Sequence, residues 1–161
     1  MIGAQFTRPK PGERTSFGGV PRGSEALILS ALVEQLGDAI FIARDDVAMA
    51  QTSAALTFFS PKTIIYQLPA WDCLPYDRIS PRTSIVGKRL ECLGHLVNTK
   101  KQNKYVVLTT VSAVLQRLPE PNLLKSSTRS LALGDHVDSI ELSQFLHSCG
   151  YRRAETVMEP G

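Results

Sequence analysis

Three short apolar runs, each separated from the next by a stretch of helical period, constrain this 161-residue chain more than any other feature. They are Ala39-Ile40-Phe41-Ile42-Ala43, Thr63-Ile64-Ile65-Tyr66-Gln67-Leu68 and Tyr105-Val106-Val107-Leu108-Thr109. A run that is apolar throughout, instead of alternating, is the pattern of a strand covered on both faces. Between the runs the period changes from 2 to 3.6. Ser24 is placed to cap a helix bearing Leu27, Ala31, Leu32 and Leu36, with Gly37 at its end. Asp45-Asp46 opens a second helix with Val47, Ala50, Ala54 and Phe58 on one face, and Pro61 lies past its end. A third helix carries Val86, Leu90, Leu93 and Val97, and a short one covers residues 111–118. Strands alternating with helices at this spacing predict right-handed βαβ units: an α/β fold with a parallel sheet and helices on both faces.

The flanks read differently. Residues 1–23 alternate Gly3, Gly12, Gly18, Gly19 and Gly23 with Pro9, Pro11 and Pro21, show neither period, and are expected to form a flexible lead-in. Residues 24–118 form the α/β domain. Pro119-Glu120-Pro121-Asn122 breaks the pattern, and residues 119–161 read as the beginning of a small α+β domain. Ser130-Leu131-Ala132-Leu133 is expected as a strand before the turn Gly134-Asp135. Asp138 and Glu141 make a capping-box-like start to a helix, with Leu142, Phe145, Leu146 and Cys149 on one face and Gly150 at its end. Residues 151–157 alternate like an exposed strand. The sequence stops at Glu159-Pro160-Gly161 before such a module closes its sheet, as expected of a fragment or a truncated product.

Composition narrows the chemistry. The formal charge of +3, from 18 Lys+Arg against 15 Asp+Glu, permits an anionic partner but lacks the clustered excess of a dedicated nucleic-acid binder. Three distant cysteines, Cys73, Cys92 and Cys149, give neither a disulfide framework nor a zinc site. The N-terminal residues lack a signal-peptide pattern, so a cytoplasmic location is expected. Gly18 through Glu25 has the GxxxxG spacing of a phosphate loop. A working loop continues with Lys, which reaches the β/γ-phosphates, and Ser/Thr, which holds magnesium; Ser24 and Glu25 stand there instead. A carboxylate repels a triphosphate, and Arg22 supplies a charge but no metal ligand. Gly18, Gly23, Ser24 and Glu25 are therefore read as a degenerate P-loop, or as a plain turn. The rival, a P-loop-type enzyme using Arg22 in place of lysine, requires magnesium-dependent turnover. His95, His136 and His147 show no metal-ligand spacing, and the acidic neighbours Asp72 and Asp77 weaken Cys73 as a nucleophile. No catalytic residue, metal site or cofactor is expected in this chain.

Three segments remain as candidate contact surfaces. Residues 69–81 are aromatic and proline-punctuated, and form either an ordered loop over the sheet edge or a partner surface presenting Trp71, Tyr76 and Arg78. Lys100-Lys101-Gln102-Asn103-Lys104 is a solvated turn or a DNA-backbone contact. Arg152-Arg153 is solubilising charge or a site for planar anions such as carboxylates.

Residues Asp45-Asp46 opening a helix that ends Phe58-Phe59, the stretch Trp71-Asp72-Cys73-Leu74-Pro75-Tyr76-Asp77-Arg78-Ile79-Ser80-Pro81, and the terminal Gly150-Tyr151-Arg152-Arg153 with Val157-Met158-Glu159-Pro160-Gly161 resemble the N-terminal region of the bacterial transcription-repair coupling factors, the Mfd family. Arg89-Leu90, Leu108-Thr109-Thr110-Val111 and Leu115-Gln116-Arg117 extend the match. The resemblance implies a UvrB-like architecture: a RecA-like first domain that has lost its nucleotide site, then the start of an inserted domain through which the family recruits the excision-repair protein UvrA. It implies a UvrA contact at Arg153, with Arg152 its weaker neighbour. It also implies that ATP, magnesium, DNA and RNA polymerase belong to other regions of the full-length family, whose translocase motor is absent here, and that part of the UvrA-binding domain is missing.

Overall fold

The computed structural model describes residues 5–21, 23–74, 76–98 and 104–154. The chain divides into two compact units, residues 1–118 and residues 119–161.

In the first unit, α1 (Glu25–Leu36) leads into β1 (Ala39–Ala43), α2 (Asp46–Phe59), β2 (Ile64–Leu68), α3 (Thr83–Asn98), β3 (Tyr105–Thr110) and the single turn α4 (Val111–Val114). The strands form a parallel sheet in the order β1-β3-β2, with Ala39 opposite Val106 and Ile64 opposite Tyr105. The fold class is thus parallel α/β, as the alternation of periods requires. The chain passes from β1 to β2 beyond β3 and then returns to β3. Two right-handed crossovers in opposite directions put α2 and α3 on opposite faces. On one face Ala26, Leu29 and Val33 of α1 and Met49 and Leu56 of α2 close over Ala43, Val106 and Leu108. On the other, α3 packs against β2, and the Tyr66 hydroxyl lies 2.7 Å from Nδ1 of His95 with the two rings stacked.

Local chemistry fixes the element ends. Gly37 terminates α1 at φ +98°, a conformation L side chains rarely adopt, and its N–H bonds to the Val33 carbonyl. Asp45 caps α2 by accepting the Ala48 N–H at 2.7 Å, and Thr110 caps α4 through Ala113. Ser24 occupies the N-cap position of α1 but makes no side-chain capping bond. Within residues 5–21 there is no helix or strand, yet the Phe6 N–H donates to Gln35 and the Arg8 guanidinium to the Leu36 carbonyl.

Several sequence expectations need correction. The buried faces of α1 and α2 are rotated from those expected, and in α3 Leu93 is buried as expected but Leu90 is not. Val47, Ala50, Ala54 and Phe58 of α2 are exposed, and Met49, Thr52 and Leu56 face the sheet. In α3 Leu90 points outward while Arg89 is buried, and in α1 Ala26, Leu29 and Val33 replace Leu27, Ala31, Leu32 and Leu36 as the innermost residues. These helices offer more than one apolar stripe, and the sheet selects among them. Nor is β1 covered on both faces: it is an edge strand, and Ile40 and Ile42 are 67% and 52% exposed. The helix expected over 111–118 stops at Val114.

In the second unit the strand expected over 130–133 does not form, and the described part of the one expected over 151–157 is not a strand. Residues 130–133 and 151–154 have neither helix nor strand, and residues 155–157 lie outside the described residues. The segment expected to break the chain instead starts a helix, α5 (Pro121–Ser126), because proline at the first helical position loses no hydrogen bond. Then α6 (Ser139–Ser148) follows its cap Asp138, which accepts the Ile140 and Glu141 N–H groups. The Arg129–Glu141 ion pair (2.7 Å) and a weak Cys149 thiol contact to the Ser127 carbonyl tie the intervening loop to α6. Leu124 is the one fully buried side chain among the described residues of this unit, which leaves Leu123, Leu131, Leu133 and Ile140 exposed.

Candidate functional site

Parallel strands deliver all three following loops to one end of the sheet, where ligands of open α/β sheets bind. Two concavities lie there. The first, about 240 Å³, is lined by Gly23, Glu25 and Ala26 at the start of α1, by residues 41–44 around the end of β1, and by Gln51 and Thr52 of α2. The GxxxxG spacing of residues 18–23 would put a phosphate loop here. Gly23 turns at φ +91°, and its N–H, which a phosphate would otherwise take, donates to Glu25 Oε2 at 2.6 Å. The chain's own Glu25 carboxylate thus takes this N–H. Gly18, Gly23, Ser24 and Glu25 thus surround the mouth of α1, or lie just upstream, without presenting a cation; Arg22 lies outside the described residues. The cation nearest this cavity among its lining residues is Arg44, whose Nε is paired with Asp45 at 2.8 Å.

The second is an open groove of about 1060 Å³ between the loop of residues 69–81 and the end of α4, lined by Trp71, Cys73, Leu74, Ile79, Leu115 and Arg117 among others. The loop is ordered by a residue the sequence reading left without a role. Arg89 is 1% exposed. Its Nη1 donates to the Pro69 carbonyl and to Gln116 Oε1 (3.2 Å), and its guanidinium lies 4.3 Å from the centre of the Trp71 ring. Gln116 also accepts the Trp71 backbone N–H at 3.1 Å, so one amide joins the loop after β2 to the segment after α4. Burial pulls Arg89 below its ordinary pKa; no carboxylate pairs with it among the described residues, and its Nε has no partner. Further along, Asp72 pairs with Arg82 (3.3 Å) and Asp77 accepts the Leu74 N–H at 2.7 Å. Both carboxylates are therefore used within the loop. Trp71 packs inward, whereas Tyr76 is 96% exposed and Arg78 is also exposed. The three candidate contact residues of this loop do not form one cluster.

Cys73 and Cys92 are poor nucleophiles. Burial, and then Asp72 and Asp77, raise the Cys73 thiol above its usual value, and burial pushes Cys92 up to about 11. Among the described residues no group of three or more His, Cys, Asp or Glu side chains is arranged to hold a metal ion. No helix among them is long and apolar enough to cross a membrane. In the second unit Arg152 and Arg153 are exposed on non-regular backbone just past α6, where the Tyr151 N–H bonds back to the Leu146 carbonyl. Of the basic run at 100–104, Lys104 is described, donating to the Glu34 carbonyl at 2.6 Å.

A transcription-repair-coupling factor of Haemophilus influenzae is 31% identical over 153 residues, covering 94% of this chain and 13% of the relative. This chain belongs to the family of the transcription-repair-coupling factors. The relative from Rickettsia bellii is 30% identical over 124 residues, and the one from Escherichia coli 26% over 159 residues, or 98% of this chain. The chain spans 11–14% of the length of these three relatives. No family model matches the chain. The matches to the family run through both units, so the residues around Glu25, Arg89 and Arg153 all lie within the matched length of the E. coli relative or close to its ends.

Proposed function

We propose that this chain is a non-catalytic module of a transcription-repair-coupling factor that recruits the excision-repair protein UvrA to stalled transcription complexes in the cytoplasm. The observation that supports the non-catalytic part is the Glu25 carboxylate on the Gly23 N–H, 2.6 Å away, at the start of α1, where the GxxxxG spacing would put a phosphate loop. A loop closed on its own anion has neither the lysine nor the magnesium ligand that phosphoryl transfer needs. ATP, magnesium, DNA and RNA polymerase are assigned to regions of the longer polypeptide outside this chain, and this chain takes no cofactor of its own. The UvrA contact is assigned to Arg153, with Arg152 beside it. Two exposed guanidinium groups next to exposed Tyr151 offer the mixture of fixed charge and aromatic area that protein interfaces favour. The sparse core of the second unit supports the same reading, since Leu131, Leu133 and Ile140 remain open to a partner.

Calorimetric titration of purified UvrA into the 161-residue chain tests the assignment. Binding is expected, weakened by salt and by Arg153→Ala, with a loss of about 2–5 kcal/mol if the arginine meets a desolvated carboxylate. Equal heats for wild type and Arg153→Ala would remove Arg153 from the interface; no heat for either would remove the UvrA role. In a parallel titration a fluorescent ATP analogue with magnesium is expected to give a flat response. A saturable one would favour the nucleotide-binding alternative.

A further inference from the structure

One side-chain oxygen, Oε1 of the half-buried Gln116, serves two donors from different segments. It accepts the Trp71 backbone N–H at 3.1 Å and Nη1 of Arg89 at 3.2 Å. The same Nη1 donates to the Pro69 carbonyl, and the guanidinium lies over the Trp71 ring. Among the described residues, every hydrogen bond from residues 69–81 to α3 or to the segment after α4 passes through Arg89 or Gln116. That segment, residues 115–118, ends where the second unit begins, at Pro119. We propose that Gln116 is a positioning residue that couples the loop of residues 69–81 to the connection with the second unit, so that the two segments open and close together.

The coupling follows from what each segment would leave behind on moving. Arg89 is buried, its Nε has no partner, and no carboxylate pairs with it among the described residues. A guanidinium so placed depends on its two oxygen acceptors and on the aromatic face. If residues 115–118 pull away, Gln116 removes an acceptor from Arg89 and the acceptor of the Trp71 N–H in one step. If the loop lifts, the Pro69 carbonyl and the Trp71 ring leave the guanidinium, and Gln116 loses a donor. Each departure raises the cost of keeping the contacts that remain, which makes the network cooperative. The guanidinium is shielded by this chain's own residues, so the link does not depend on what occupies the neighbouring groove.

The surroundings set the limits of the unit that opens. At its start, the buried Thr109 hydroxyl donates to the Leu68 carbonyl at 2.9 Å, which fixes the end of β2 to β3 independently of Gln116. The sheet can therefore stay closed while the loop moves from Pro69 onward. Beyond Trp71 the loop is held to itself, with Asp77 accepting the Leu74 N–H and Asp72 paired with Arg82. On the other side α4 is a single turn, and residues 115–118 have no helix or strand. Segments with so little regular structure open at lower cost than the core. Coupling between two of them is reciprocal. A contact that grips the loop is felt at the connection to the second unit, and a movement of that connection is felt in the loop.

Hydrogen exchange of the 161-residue chain, resolved amide by amide by NMR, reads the coupling at groups Gln116 does not touch. These are the Leu74 and Asp77 N–H groups, both bonded within the loop. Gln116→Ala is expected to speed their exchange by about tenfold or more, while the amides of β3 keep their wild-type rates. Gln116→Glu keeps the oxygen acceptor and adds the carboxylate that Arg89 lacks, so it is expected to hold the loop amides at or below the wild-type rate. In the reverse direction, Trp71→Leu is expected to speed exchange of the Gln116 N–H, which bonds to the Ala113 carbonyl at 3.1 Å, by a similar factor. Unchanged Leu74 and Asp77 amides in Gln116→Ala overturn the proposal. So does a Gln116→Glu variant that exchanges like Gln116→Ala, or a Gln116 amide indifferent to Trp71→Leu. An acceleration shared equally by β3 overturns it as well, because the two segments would then open only with the whole fold.

Discussion

Arg89 offers the sharpest test of how the loop of residues 69–81 is held. Truncation to alanine removes two charge-assisted hydrogen bonds, each worth about 1.5–3 kcal/mol, and the stack on Trp71. It also removes the penalty of a guanidinium buried without a carboxylate, which amounts to several kcal/mol. Those two quantities nearly cancel, so the space left by a long buried side chain decides the sign. A cavity of that kind costs about 2–5 kcal/mol, and a net loss of about 3 kcal/mol is expected for Arg89→Ala. Arg89→Met separates the contributions. It keeps most of the volume, discards the charge and orphans mainly the Pro69 carbonyl, so it should cost only about 1 kcal/mol. Urea unfolding provides the assay. With a slope of about 1–3 kcal/mol per molar, the alanine variant should lose at least about 1 M in midpoint and the methionine variant far less. Trp71 is the single tryptophan, so its emission reports the loss of the cation in both variants while circular dichroism follows the fold. Equal losses for the two variants would show that bonding, not packing, is what Arg89 provides. A loss below about 0.5 kcal/mol for alanine would refute the role of Arg89 in holding the loop.

Two further outcomes follow from the titrating groups. The Asp45 carboxyl is held below its ordinary 3.8 first by the Ala48 N–H and then by Arg44. A depressed carboxyl stabilises the fold above its unfolded value and loses that contribution as pH falls through the folded one. The melting temperature of Asp45→Asn should therefore lie below that of wild type at pH 6, with the gap closing below about pH 4; a gap independent of pH would show that charge plays no part in the cap. Cys92, fully buried with its thiol raised to about 11, should react with a thiol reagent at pH 8 only on unfolding, whereas the less buried Cys73 and Cys149 react in the native state. Three fast thiols in the native protein would contradict the packing of α3 on the sheet.

Much of the first unit was legible because local rules and tertiary packing agree there. Apolar runs of strand length separated by capped helical segments specify βαβ units, and Gly37, Asp45 and Thr110 end or start their helices for reasons internal to a few residues. The helix faces were not legible. In α2 the apolar residues surround much of the helix, so period alone cannot say whether Val47 or Met49 meets the sheet. Arg89 was left without a structural role for a related reason: a charged residue on a helix is ordinarily solvated, and its acceptor at Pro69 and its stacking partner Trp71 lie about twenty residues away in sequence. In the second unit, alternation in short segments suggested strands over 130–133 and 151–157; among the described residues neither segment has a strand to pair with, and an isolated strand leaves its backbone groups unsatisfied.

By itself the sequence determined the alternation of strand and helix, the ends of most elements, and the replacement of a phosphate loop's lysine and serine by Ser24 and Glu25. Those are properties of neighbouring residues, and covalent proximity is enough to express them. Only the tertiary structure decided that β3, not β1, is the central strand of the described sheet and that Arg89 is buried beneath Trp71. Each of these depends on which distant segments come together, and that is settled by the competition among apolar faces for one sheet, a competition no single segment can resolve alone.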